Sequence, residues 1–131
     1  MSHKHIFGIG FALALALTGC GSAATSQTVA MMAIGSSGQS GTAVLTDNGN
    51  STTSVALATT GGTDSGAQAA HIHTGVCGSA GPVYAALTNV QSGVGTSTVA
   101  FPLSGLTGGK YYINIHKSSD PSVIQACGQI K

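Results

Sequence analysis

Arginine, glutamate and tryptophan are absent from this 131-residue chain, and charge of either sign is scarce, with four lysines against three aspartates. Without a basic stripe there is no electrostatic footprint for nucleic acid. A net charge near zero also supplies no field to steer an anion. No stretch carries a sustained helical period, which excludes bundle architectures. A membrane-length apolar run is lacking too. The longest, Ile6 to Leu17, is glycine-spotted and falls short of the roughly 20 residues that a spanning helix needs. Low charge does not imply disorder here, because apolar residues make up 42% of the chain and valine, isoleucine and threonine are frequent.

That apolar run follows a short polar start containing Lys4 and ends in Leu17-Thr18-Gly19-Cys20. The pattern fits the apolar region of a secretory signal, and its end resembles a bacterial lipobox, cut before a cysteine that then receives lipid. The expectation is a signal peptide over 1–19, lipidation at Cys20 and a flexible tether over 20–27. An ordinary signal with an incidental cysteine is the alternative. The expected location is the bacterial cell envelope, with the chain held to a membrane by its lipid on the periplasmic or surface side. His3 and His5 would leave with the signal. Beyond Cys20, the lysines 110, 117 and 131 balance Asp47, Asp64 and Asp120.

With Cys20 assigned to lipid, Cys77 and Cys127 remain as an even pair in an exported chain, where a disulfide persists. Two free buried thiols are the other reading. Between residues 28 and 131, short apolar or alternating runs are separated by Gly, Asn, Asp and Ser. The runs are 28–34, 42–46, 54–58, 69–73, 83–87, 96–103, 111–116 and 124–130. Asp47-Asn48-Gly49-Asn50 has hairpin-turn chemistry. Short β-branched runs at this spacing predict one all-β domain over 28–131, an antiparallel Greek-key sandwich or barrel.

Three histidines remain in the mature chain: His71, His73 and His116. Residues two apart in a strand share a face, so His71 and His73 project together and Ile72 turns the other way. In Tyr111-Tyr112-Ile113-Asn114-Ile115-His116, the face of Tyr112, Asn114 and His116 opposes that of the other three. A His-x-His pair is also what two surface histidines look like. The cluster gains weight because no carboxylate or thiol neighbours these rings to suggest another task. Imidazole suits copper and zinc. Three without a fourth donor make an open site, to which zinc adds solvent. Tyr84, Tyr111 and Tyr112 read as strand packing, and Met31 and Met32 as core or interface residues. Asn114 reads as an edge hydrogen bonder, with support of a ligand as its alternative. A hydrolase is disfavoured, since Ser79 and Ser104 have no base and orienting carboxylate within sequence reach.

Ala70-His71-Ile72-His73-Thr74-Gly75-Val76-Cys77-Gly78-Ser79-Ala80-Gly81-Pro82 and the closing Ala126-Cys127-Gly128-Gln129-Ile130 resemble segments of the copper-zinc superoxide dismutase fold family. The wider set, HIHxGxCG followed by YxNxH and a closing ACG, is similar to the CHRD (chordin-type) domain of bacterial exported proteins. The likeness spans about residues 28–131. It implies a superoxide dismutase-like β-sandwich, copper ligation by His71, His73 and His116, and a Cys77–Cys127 disulfide in agreement with the cysteine arithmetic.

The departures are equally specific. Val83 follows Gly81-Pro82 where that dismutase family has its bridging histidine. The zinc loop is absent, Ile124 stands where the superoxide-guiding arginine would be, and Ser118-Ser119-Asp120-Pro121-Ser122 replaces a charged loop. No catalytic residue is assigned. The expectation is an envelope lipoprotein binding one copper-type ion, with zinc second. Its role would be metal handling, electron transfer or weak superoxide dismutation, served by a copper donor or a redox partner protein. A metal-free structural or adhesive module is the alternative.

Overall fold

The computed structural model describes residues 25–131. The expected signal peptide over 1–19, the expected lipidation at Cys20 and most of the expected tether therefore lie outside the described residues. Eight strands follow in chain order: β1 (Ser26–Ala33), β2 (Ser40–Asp47), β3 (Thr53–Thr60), β4 (Gln68–Thr74), β5 (Val83–Val90), β6 (Val94–Val99), β7 (Tyr111–Lys117) and β8 (Asp120–Ile130). One helical turn, α1 (Leu103–Leu106), separates β6 from β7. Every expected run forms a strand, with one correction. The 96–103 run stops at Val99, because Pro102, at φ −66°, has no N–H to donate to a ladder and opens α1 instead. Leu103 and Leu106, three residues apart, then turn the same side of α1 into the core.

All pairings are antiparallel, in the order β5-β4-β7-β8-β1-β2-β3-β6. Pairing of β3 with β6 and of β4 with β7 makes two connections cross between halves of the sheet, which is Greek-key topology. The terminal strands β5 and β6 are consecutive in sequence. Gln91 and Val94 exchange backbone hydrogen bonds at the turn between them, so the barrel is nearly closed.

On the other side, β1 and β8 share only Met32↔Cys127 and Ala33↔Ala126. There the halves splay and the sheet folds over its core. Gly128 permits this crossing, since a β-carbon would press into the Met31 sulfur and the Val29 side chain.

Alternation fills the interior. Val29, Met31, Ala43, Leu45, Val55 and Leu57 come from one half, and Ala70, Ile72, Ile113, Ile115, Ala126 and Ile130 from the other. Two buried amides brace one end. Gln39 Nε2 donates to Gln68 Oε1 at 2.8 Å and to Thr59 Oγ1 at 3.0 Å, and Gln68 Nε2 donates back to Gln39 Oε1 at 2.8 Å. Their reciprocity is what makes a buried polar pair tolerable.

The face of β4-β7-β8 turned away from this core is not left to solvent. The β4–β5 connection, residues 75–82, folds over it and is fastened by the Cys77–Cys127 disulfide, whose Cα atoms lie 5.9 Å apart. Gln129 adds a second fastening: its Oε1 accepts from Cys77 N at 3.0 Å, and its Nε2 donates to Tyr111 O at 2.7 Å.

The bridge spans a sequence separation of 50, for which chain entropy predicts at most about 4 kcal/mol of stabilisation. Replacing both cysteines by serine should lower the urea midpoint by an amount within that bound, measured on the metal-free protein. An unchanged midpoint would show that the connection is held by its hydrogen bonds alone.

Candidate metal centre

Strand β4 supplies two imidazoles by simple alternation. Ile72 is fully buried in the core, so His71 and His73 project from the opposite face. Strand β7 supplies the third: Ile113 and Ile115 face the core, which turns Tyr112, Asn114 and His116 outward. The register of the pair sets His71 opposite Asn114 and His73 opposite Tyr112. Three rings from distant parts of the chain thereby collect on one covered face.

The three rings lie close enough together that they could hold one ion. His71 Nδ1 and His116 Nε2 share a hydrogen bond at 3.1 Å, and that spacing is close to the about 3 Å between two nitrogens that each sit about 2.0–2.1 Å from one ion. Ring centroids are 5.0, 5.6 and 5.9 Å apart. One ring nitrogen from each histidine falls within 4.8 Å of the others. His73 and His116 are buried, while His71 is half-buried and marks the side open to solvent.

The orientation of His73 is built, not incidental. Its Nδ1 lies 2.8 Å from the Gly81 carbonyl, which can only accept. Nδ1 therefore carries the proton, and Nε2 presents a lone pair. The ring also stacks on Tyr112 at 5.2 Å with a 17° interplanar angle. Tyr112 in turn holds Gly81 in place: its hydroxyl accepts from Gly81 N at 3.1 Å and donates to Ser79 O at 2.6 Å. Gly81 has to be glycine, because a β-carbon would overlap the Thr74 carbonyl. This arrangement matches the outer partner that orients a metal-binding imidazole.

The residues present fit an ion. His73 Nε2 is buried and has no hydrogen-bond partner, and the same is true of His116 Nδ1. An unpaired buried acceptor costs about 1–3 kcal/mol, and a cation at the junction of the rings would satisfy the His73 lone pair.

Burial, followed by the neighbouring His116 and His73, holds His71 below the ordinary imidazole value of 6.5. Burial also lowers His116; the nearby Pro121 carbonyl pulls it back up without reaching hydrogen-bond geometry, and His73 lowers it again. The neutral imidazole favoured by these shifts is the form that binds metal.

All three histidines expected from the sequence meet, and the two cysteines pair. Met31 is buried in the core on the opposite side of the sheet, and Met32 is exposed. Ser79 is occupied in closing a turn, donating to the Val76 carbonyl at 2.7 Å. Two contributions were not read from the sequence. Tyr112 does more than pack, since it anchors the covering connection. Asn114 lies on a central strand rather than an edge, buried at 2% exposure with no partner for Oδ1. Tyr112 depends on residues 31 and 33 positions away, and Asn114 on strands paired to both sides of β7, which local pattern does not encode.

The chain matches the CHRD domain family over residues 22–123 and belongs to that family. The matched span contains all three histidines and Cys77. No curated protein and no solved structure matches the chain.

The depressed imidazoles give the metal-free protein a pH dependence. Folded values below 6.5 for His71 and His116 mean that the unfolded chain takes up more protons in acid. Stability from this source is therefore fully present above pH 6.5 and is lost as pH falls through the folded values. Asp64 and Asp120, lowered chiefly by hydrogen bonds from Ser118 and Ser122, act in a separate window below 3.8. Urea midpoints of chelator-treated protein should fall between pH 7.5 and 5.5, and less so in His71→Gln. Equal midpoints at the two pH values would contradict this.

Proposed function

We propose that this CHRD-domain protein is exported and lipid-anchored at Cys20, and holds one copper-type ion in the cell envelope for metal handling or one-electron exchange. The convergence of three imidazoles around the buried, partnerless Nε2 of His73 is the observation that carries this reading. His71 Nδ1, His73 Nε2 and His116 Nε2 are the nitrogens that would hold the ion. A copper ion there would supply one-electron chemistry, and the exposed side of His71 leaves a path for a small reactant or a partner. An all-imidazole site with no anionic ligand accepts both copper and zinc, and the intrinsic order of affinities puts Cu(II) above Zn(II).

The chain's own residues supply orientation and shelter. Gly81 fixes the proton on His73 Nδ1, Tyr112 holds Gly81, and the disulfide fastens the connection that carries Gly81 to β8. The surroundings supply little attraction for an anion. The mature chain has no arginine, and its three lysines balance three aspartates. Steering is worth ~10–10³ in encounter rate where it exists, so any superoxide dismutation at this site is slow. A disulfide that persists supports an oxidising compartment, and the lipobox-like Leu17-Thr18-Gly19-Cys20 supports the anchor.

Titration of chelator-treated protein with Cu(II) should show one equivalent bound. His71→Ala and His116→Ala should each lose more than the about 10–100-fold in affinity that an outer-shell partner is worth. Gly81→Ala should fall within that range, because it moves the carbonyl that orients His73. Uptake no tighter than that of an unstructured histidine peptide would instead favour a metal-free structural or adhesive module. The anchor is tested separately: mass spectrometry of envelope-extracted protein should find acyl chains on Cys20, and Cys20→Ser should release the protein from the membrane fraction.

A further inference from the structure

Asn114 occupies the centre of the covered face. On β7 it lies between Tyr112 and His116, its neighbours on the same side of the strand. Across the sheet it faces His71 on β4 and Cys127 on β8. Tyr112 stacks on His73, so the imidazole-bearing elements surround Asn114 on three sides and the disulfide closes the fourth. Residues directly opposite in an antiparallel pair have β-carbons about 4.5–5.5 Å apart, and diagonal neighbours remain within reach of one another's side chains.

The side chain is 2% exposed, and Oδ1 makes no hydrogen bond. A buried amide oxygen without a partner destabilises a fold, and an aliphatic side chain would fill the same space without that cost. No neighbouring strand, turn or hydroxyl satisfies this oxygen. Its neighbours on this face include His71 across the sheet and His116 along the strand, and His73 Nε2 is orphaned in the same way.

Resting on the copper-type reading above, we propose that Asn114 Oδ1 is the fourth protein donor of the centre, approaching the ion from the sheet side of the imidazole cluster. A neutral amide oxygen is a harder donor than imidazole or sulfur, and so favours Cu(II) over Cu(I). Asn114 is thus a binding residue that sets which oxidation state the site prefers. It leaves the solvent side, next to His71, free for a reactant or partner.

The test compares wild type, Asn114→Leu and Asn114→Asp as disulfide-bonded mature protein. Each is titrated with Cu(II) and with Cu(I) against competing chelators, and the Cu(II) forms are compared by electron paramagnetic resonance. Asn114→Leu should bind Cu(II) about tenfold more weakly, with Cu(I) affinity unchanged and an altered copper hyperfine splitting. A tenfold change in the affinity ratio raises the one-electron potential by about 59 mV. Asn114→Asp, which keeps an oxygen donor and adds charge, should shift Cu(II) affinity and potential the other way. Should the leucine variant not fold, Asn114→Ala, which removes the oxygen without adding charge or bulk, takes its place with the same expected changes. Wild-type spectra and affinities in the variants would overturn the assignment while leaving the three-histidine site standing. Wild-type protein that binds no copper overturns both.

Discussion

The antiparallel pairing of β4 with β7 is the constraint on which the rest of this molecule depends. These strands lie some forty residues apart in sequence and are brought together by the Greek-key crossing. A slip of one residue in their register would turn every side chain to the other face. It would send His71 and His73 into the core and leave Ile72 outside. The register is fixed from the core side by Ala70, Ile72, Ile113 and Ile115, all essentially inaccessible to solvent. Apolar packing on one face of the sheet thus determines the geometry of a polar site on the other.

A second layer converts this pairing into a centre. A bare sheet face would leave the imidazoles hydrated, each satisfied by water. The connection from Gly75 to Pro82 folds beside them and brings its own carbonyl, that of Gly81, to His73. Its fastenings come from three directions: the disulfide to β8, the Gln129 amide and the Tyr112 hydroxyl. Covering a ring nitrogen while withholding a partner costs stability unless something else binds there. The same burial and mutual repulsion that lower His71 and His116 keep them neutral, so the cost falls on the metal-free state.

Charge is sparse along the chain, with four lysines and three aspartates. The chain invests little in long-range attraction and much in local orientation.

Much of this was legible before any coordinates. Alternation placed His71 and His73 together with Ile72 behind them, and gave His116 its face, because strand periodicity is local. β-branched runs and turn residues gave eight strands, and an even cysteine count gave the bridge. The sequence misled at 96–103, where Pro102 ends the strand, because an apolar run does not reveal whether it continues extended or turns. Asn114 was read as an edge hydrogen bonder with support of a ligand as its alternative, and Tyr112 as a packing group. The sequence by itself determined which residues share a strand face. Only the tertiary structure decided which faces meet, which carbonyl reaches which ring, and which polar atoms are sealed from water. Those outcomes depend on pairing between segments distant in the chain, where register and burial are set by the whole core and not by any local run.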